Sequence, residues 1–314
     1  MVLRNIKNFL SLKESNISDE ALAPSFKTLL EMKREVLKLK DFSFQNTTLL
    51  SGDAKSSFKG RGIEFEEIRT YQFGDDLRDI DWRVTARKNT PFTKLYIEEK
   101  DRKVYIFLDL SDKMYFGTNK ELKSVTAAKI AALLGFYALS YKDRVGLAIY
   151  TGTQTYIFEP RRQLAYFLSI LKKIEQICTQ NLNSNQEPSQ SLTQALRLFE
   201  KKAGSNAVLF IISSFDPNDE KLDRELQTLA ALREVYLVDV FDRLEAICPP
   251  KGEYTAEYNG LRTTIENFSE TFEKNYTAYF AAKRKKLRDL CLKHNAHYRP
   301  VQTDLPLAKQ ISPV

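Results

Sequence analysis

Two groups of side chains in this sequence stand close enough together to do chemistry. The first is Asp75, Asp76, Asp79 and Asp81, four carboxylates on one short stretch. Clustered carboxylates of this kind can hold two divalent ions for in-line attack on a phosphodiester. Arg69, Arg78, Arg83 and Arg87 lie among them, however, and the spacing matches no EF-hand loop. Arg–carboxylate pairs that lock an irregular segment in place account better for the mixture. A partner-docking surface is the second reading and a metal-dependent phosphohydrolase the third. The second group is Asp109-Leu-Ser111-Asp-Lys113 together with Ser213-Ser214-Phe-Asp216, each following an apolar run. In open α/β sheets, ligands bind beyond the carboxyl ends of the strands, which makes both stretches candidate binding loops.

Other constellations are weaker. Cys291, His294 and His297 read C-x-x-H-x-x-H, but only the first pair has helical spacing and no fourth ligand is near, which argues against zinc. The two histidines of the chain sit together near its end, so no Ser-His-Asp or Cys-His arrangement can be built. Gly60-Arg61-Gly62 lacks the third glycine and following helix of a dinucleotide fingerprint, and no G-x-x-x-x-G-K-[ST] occurs. ATP-dependent work therefore belongs to a partner, and the chain itself is expected not to be an enzyme.

The elements that must position these residues alternate. Apolar runs at 104–110, 144–150, 155–159, 207–213, 235–241 and 296–302 read as strands. Helical patterns fall at 122–141, 164–177, 192–200, 221–232 and 272–295. Apolar strands flanked by helices of this length predict an α/β fold, a doubly wound and mostly parallel sheet with helices on both faces. A helical pattern covers 15–45, with Pro24 near its start. Three regions follow: a helical 1–50, a charged segment 51–103 packing on the sheet, and an α/β domain 104–314 with a hairpin excursion near 247–266. The charged segment holds 12 Lys/Arg and 11 Asp/Glu, with both signs interspersed. Trp82, the one tryptophan of the chain, is expected to be the buried anchor of that segment.

The 314 residues are 43% hydrophobic, with 11 Gly and 10 Pro, which excludes disordered and collagen-like classes. Three widely spaced cysteines, Cys178, Cys248 and Cys291, build no disulfide framework. The amino-terminal residues carry no apolar leader, and the apolar stretch 130–141, closed by Lys129 and Lys142, is too short to cross a bilayer. A soluble, cytoplasmic protein without a membrane span is the expectation. The formal charge of +7 admits nucleic acid as a partner, through the basic run 283–288. That run reads more simply as a solvated helix face.

The charged segment also carries a signature. Gly62-I-E-F-E-E-I-Arg69, Tyr71-Q-F-Gly74-Asp75-Asp76-L-Arg78-Asp79-I-Asp81-Trp82, Thr85-Ala86-Arg87 and Lys94-L-Tyr96-I-Glu98-Glu99 resemble domain-of-unknown-function family fifty-eight. The similarity continues through Phe116-Gly117, Asp143-Arg144-Val145-Gly146-Leu147 and Thr303-Asp304-Leu-Pro-Leu, covering about residues 40–308. The resemblance implies a von Willebrand factor A-like fold, no established catalytic activity, and a MoxR-class AAA+ ATPase as partner. Members often carry amino-terminal membrane hairpins, which this sequence lacks.

That fold implies a metal-ion-dependent adhesion site. In it two serines and an aspartate on a first loop, a threonine on a second and an aspartate on a third hold Mg²⁺ in octahedral oxygen coordination. Here the site is degenerate. Asp109 and Ser111 are in place, but the third position of the first loop is Lys113. The threonine position falls in Pro188-Ser189-Gln190-Ser191, and Ser214 stands for the last aspartate. Asp216, two residues on, could join Asp109 and Ser111 as a metal ligand only if its loop bends back. Lys113 either points to water or turns inward, where its ammonium pairs with Asp109 and takes the ion's place. Mg²⁺ is the one candidate cofactor, and none is expected. A non-enzymatic interaction module follows, adaptor or activator of the ATPase. Asp109, Ser111, Lys113, Ser214, Asp75, Asp76, Arg78, Asp79, Asp81 and Arg87 are its expected partner-binding residues.

Overall fold

The structure, a computed structural model, describes residues 18–39, 63–73, 75–98, 102–182, 188–205, 207–258, 261–267 and 269–311. Gly60, Arg61, Gly62, Gly74 and Glu99 of the sequence motifs lie outside the described residues. In chain order the elements are α1 (Asp19–Leu22), α2 (Phe26–Glu35), β1 (Ile63–Thr70), α3 (Trp82–Lys88), β2 (Phe92–Glu98), β3 (Lys103–Asp109), α4 (Lys123–Ser140), β4 (Arg144–Tyr150) and β5 (Thr155–Arg161). There follow α5 (Leu164–Leu182), α6 (Leu192–Glu200), β6 (Ala207–Ser213), α7 (Glu220–Ala230), β7 (Glu234–Phe241), β8 (Gly252–Tyr258), β9 (Leu261–Asn267), α8 (Glu270–Lys293), β10 (His297–Gln302) and α9 (Leu307–Ile311). They form two compact units, one of residues 1–43 with 102–314 and one of residues 44–101.

The larger unit is a mixed α/β layer structure. Its six-stranded sheet has the order β10-β7-β6-β3-β4-β5, parallel throughout except for β5, which returns antiparallel beside β4. The chain starts in the middle at β3, winds out through β4 and β5, then crosses to β6 and winds out the other way. The reversal puts a crevice between the carboxyl ends of β3 and β6, where open sheets of this kind bind ligands. Each outer strand carries a proline, Pro160 in β5 and Pro300 in β10, a residue that sheets confine to their edges.

Period-two alternation sorts the core. Tyr105, Phe107, Leu209, Ile211, Val235 and Leu237 gather on one face with Leu196 and Phe199 of α6, Leu222 and Leu226 of α7, and Leu287 of α8. The intervening Val104, Ile106 and Leu108 are equally buried on the other face, against α4. Helix α4 has no polar side of its own and is buried nearly all round, because α2 and α5 pack on it from outside. A Cβ at Gly135 would stand 2.0 Å from Phe167 Cζ, so only glycine lets α5 approach that closely. The predicted helix over 15–45 is broken: Pro24 precedes Ser25, whose hydroxyl accepts from Thr28 N (3.2 Å) to start α2.

The smaller unit is built on the antiparallel β1–β2 pair, with a bulge between Phe65 and Glu67. Its connection holds a 3₁₀ turn, Leu77–Asp79, and α3. Tyr71 N donates to Pro91 O and Asp81 N to Phe92 O, both at 2.9 Å, tying the connection back to β2. Asn89 closes α3 in the left-handed region (φ 52°). Among the described residues no helix is long and apolar enough to cross a membrane.

Candidate functional site

The carboxyl ends of the parallel strands carry one polar rung. Asp109 of β3 is in register with Tyr150 of β4, and Ser213 of β6 with Asp239 of β7. Since Leu108 pairs with Ile212, Asp109 and Ser213 are also neighbours, and alternation points Asp109, Ser213 and Asp239 to the same face. Four aligned strand ends thus put two carboxyls on one face, on either side of Ser213.

Asp109 has no exposed surface. An ionised carboxylate there needs partners on both oxygens, or its desolvation costs several kcal/mol. Ser111 N donates to Oδ1 (2.8 Å) and Ser213 Oγ to Oδ2 (2.5 Å). Lys113 Nζ lies 3.2 Å from the same Oδ2, its side chain 31% exposed. Of the two orientations open to Lys113, the inward one is found. The short 3₁₀ turn Asp112–Met114 carries it there, four residues from the carboxylate it neutralises.

A second buried pair closes the neighbouring strand end. Lys123, first residue of α4, has its ammonium 3.1 Å from both Ser214 Oγ and Glu245 Oε2, with the Phe116 ring 5.5 Å away. Burial pushes the Glu245 carboxyl up, but Lys123 and the Asp242 amide together hold it below its ordinary value. Asp242, fully buried beyond β7, accepts from Thr118 N (3.0 Å), Thr118 Oγ1 (2.5 Å), Leu244 N (2.9 Å) and Thr303 Oγ1 (3.3 Å). The loops after β3, β6, β7 and β10 are therefore stitched into one network.

Asp239 differs from Asp109. Its oxygens accept from Tyr298 Oη (2.9 Å) and Phe215 N (3.3 Å), with no ion pair among the described residues. Burial raises its carboxyl above the ordinary value, against the opposing pull of Lys283.

These residues do not fit a divalent cation. Lys113 and Ser213 occupy Asp109 Oδ2, Ser214 is bonded to Lys123, and Asp216 does not bend back. Asp216 is exposed and its Oδ1 accepts from Asn218 N (2.9 Å), an Asx turn imposed by the intervening Pro217. The expectation of Asp216 beside Asp109 and Ser111 is thereby corrected. Ser191, at the expected threonine position, caps α6 in a capping box with Gln194. Among the described residues no group of three or more His, Cys, Asp or Glu side chains is arranged to hold a metal ion. Cys291 is buried, His294 is bonded to Asp223, and His297 stacks on Tyr236 (4.5 Å, 21°), so the C-x-x-H-x-x-H residues face three ways. Burial pushes the Cys178 and Cys291 thiols up to about 12, which leaves neither as a nucleophile at neutral pH.

In the smaller unit the aspartates of the signature are used as turn caps. Asp75 takes Arg69 Nη2 (2.7 Å) and Gln72 N (2.9 Å), and Asp76 takes Arg78 N (3.0 Å). Asp81 takes Arg83 N (3.0 Å) and Val84 N (3.1 Å) at the start of α3, with Lys94 Nζ at 3.5 Å. Of the expected Arg–carboxylate pairs, Arg69 makes a close one, while Arg78 and Arg87 are exposed. Trp82 is 68% exposed, correcting the expected buried anchor: α3 turns Val84 and Thr85 inward, where Thr85 Oγ1 accepts from Phe92 N (3.0 Å). A helix of seven residues has no further turn with which to bury the indole. The basic run on α8 also divides: Arg284 donates to Glu245 O (2.7 Å) and Lys286 to Asn218 Oδ1 (2.8 Å), so it is no uniform solvated stripe.

Sequence reasoning found Asp109, Ser111, Lys113 and Ser214, and placed Ser213 on a candidate binding loop without a role, but missed Lys123, Asp239, Asp242 and Glu245. A polar residue directly after the apolar run 235–241 was the available signal for Asp242. Lys123 and Glu245 lie far apart along the chain and carried none.

An uncharacterized protein of Mycobacterium tuberculosis is 28% identical over 244 residues, spanning 77% of this chain and 72% of the relative, and one of Mycobacterium bovis matches equally. Among solved structures, the conserved hypothetical protein BatB from Bacteroides thetaiotaomicron gives a TM-score of 0.40 at 15% identity, over 67% of this chain and 93% of that one. An aerotolerance-related membrane protein from Bacteroides fragilis gives 0.40 at 11% identity, over 67% and 96%. The sequence also matches the family described as Protein of unknown function DUF58 over residues 67–286. Spanning the signature, the polar rung and most of the sheet, that match means that the chain belongs to the DUF58 family.

Proposed function

We propose that the chain is a protein-binding module without catalytic chemistry of its own. Its sheet is read as a von Willebrand factor A-like unit, and its partner as a MoxR-class AAA+ ATPase for which it acts as adaptor or activator. The observation that carries this reading is the Lys113 ammonium 3.2 Å from fully buried Asp109. A fixed side-chain cation stands where the fold's adhesion chemistry would employ an ion, and its partly exposed amine keeps donors free for a carboxylate brought by another polypeptide. The sequence has no P-loop, so energy from ATP enters only through the partner.

The test is binding of the purified full chain to purified MoxR-class ATPases from the same cell, followed by calorimetry and by ATPase rate. Affinity should survive stripping of the chain with chelator and should fall about tenfold in Lys113→Met, the scale of one lost charge-assisted contact. Failure to bind any such ATPase sinks the partner, and affinity that is lost on chelation sinks the role of Lys113.

A further inference from the structure

We propose that the connection of the smaller unit, Phe73 and residues 75–88, is a docking surface for an acidic protein. This takes the chain as a protein-binding module and names a surface on it. It does not require the partner to be an ATPase.

Large apolar side chains rarely face water in a group unless they are used. Here Phe73 is fully exposed, Leu77 64% exposed and Trp82 68% exposed. Trp, Phe and Arg are the residue types enriched at the energetic centres of protein interfaces. The charges decide which partner fits. By composition the stretch is balanced, with Asp75, Asp76, Asp79 and Asp81 against Arg78, Arg83, Arg87 and Lys88. By structure it is not. Asp75, Asp76 and Asp81 are consumed by backbone amides and by Arg69 and Lys94. Arg83 and Arg87, one turn apart on α3, are exposed and have no ion pair among the described residues, and Arg78 keeps only a 3.9 Å contact to Asp76. Asp75, Asp79 and Asp81 are partly buried, while Arg78, Arg83, Arg87 and Lys88 are exposed with Asp76 as the one exposed acid among them, so a stretch balanced by composition shows mostly basic side chains. A carboxylate-rimmed apolar patch is the complement. A polyphosphate backbone is a poorer one, because exposed Asp76 and half-exposed Asp79 interrupt the basic residues.

Trp82, the one tryptophan of the chain, reports on this surface directly. In the isolated full-length protein its fluorescence should be red-shifted, and iodide should quench it about twofold or more better than caesium, as a positive local potential requires. Blue, unquenched emission would mean that the chain covers its own indole, and preferential quenching by caesium that the surface is acidic. Either result overturns the proposal. A photo-cross-linking amino acid at Leu77, compared with the same probe at exposed Leu232 of the larger unit, then identifies the occupant in the native cell. The expected product joins residue 77 to a peptide of net negative charge. Its yield should fall about tenfold in Arg83→Glu/Arg87→Glu with the circular dichroism unchanged, and largely return in Arg83→Lys/Arg87→Lys. Cross-links to nucleic acid, to a second copy of this chain or to a basic peptide, or none above the Leu232 control, overturn it. An acidic partner that is not an AAA+ ATPase upholds this surface and sinks the ATPase reading. An ATPase that binds through Lys113 without touching residue 77 does the reverse.

Discussion

The polar rung of the larger unit and the connection of the smaller one draw on the same side-chain types, aspartates beside lysines and arginines, and put them to opposite use. In the rung Asp109 meets Lys113 and Glu245 meets Lys123, all within the protein, and bound hydroxyls fill the remaining positions. In the connection the aspartates cap turns and the guanidinium groups are left to water. The difference is one of cover. A carboxylate under a six-stranded sheet must bring its partners with it, a lysine for Asp109 and Glu245 or hydroxyls and amides for Asp239 and Asp242, because desolvation punishes an unpaired ion. One on a short connection has water to compensate it and can serve the backbone instead. Composition therefore locates charge-rich segments but does not say which sign they show to a partner.

Three substitutions sharpen this contrast, in order of falling effect. Lys123→Met strands Glu245 under the sheet, and the free energy of unfolding in urea should drop by about 3 kcal/mol. Lys123→Met/Glu245→Met should recover most of the loss. An unchanged midpoint in the single variant would mean that water reaches the pair and that the rung is not closed. Asp239→Asn acts more gently and through pH. Burial raises the Asp239 carboxyl above its ordinary 3.8, so the folded protein binds a proton more tightly than the unfolded chain does. Its stabilising contribution is complete below that ordinary value and is lost as pH rises through the raised one. Thermal midpoints of variant and wild type should thus move apart in the variant's favour between pH 4 and pH 8, and parallel curves would contradict it. The smallest effect belongs to Asp81→Ala. The Val84 amide, with Arg83 and Lys94, holds the Asp81 carboxyl below its ordinary range despite some burial. Its help to α3 is therefore present above 3.8 and disappears as pH falls through the lowered value. Amide exchange at Arg83 and Val84 should quicken while the global unfolding midpoint stays put. A shifted midpoint would show that the connection is as structurally committed as the rung.

Much of the larger unit was legible because its elements carry strong local periods. The run at 207–213 is β6 residue for residue, and 144–150 is β4. The predicted strand over 235–241 and helix over 192–200 match β7 and α6 to within a residue. Periodicity reports which face is buried, and in a sheet covered on both sides that signal is nearly continuous. It says nothing about partners brought together by register. That Asp239 lies in line with Asp109, or that Lys123 reaches Glu245, depends on which strands neighbour which, and the crossover from β5 to β6 is not written locally. In the smaller unit the reading was poorer. Gly-Asp-Asp and Asp-Trp looked like an ion-paired anchor because four acids alternate with arginines. Asp76 and Asp81 instead sit at N-cap positions, where a carboxylate satisfies orphan amides better than it satisfies a distant guanidinium.

The proline in each outer strand has a consequence for how this protein can be joined to anything else. A polypeptide arriving in extended form at β5 or β10 finds a ring where a donor should be, so neither margin offers an unbroken ladder on which a foreign strand could zip. The six-stranded sheet is finished at its two margins and insulated there from fibre-like growth.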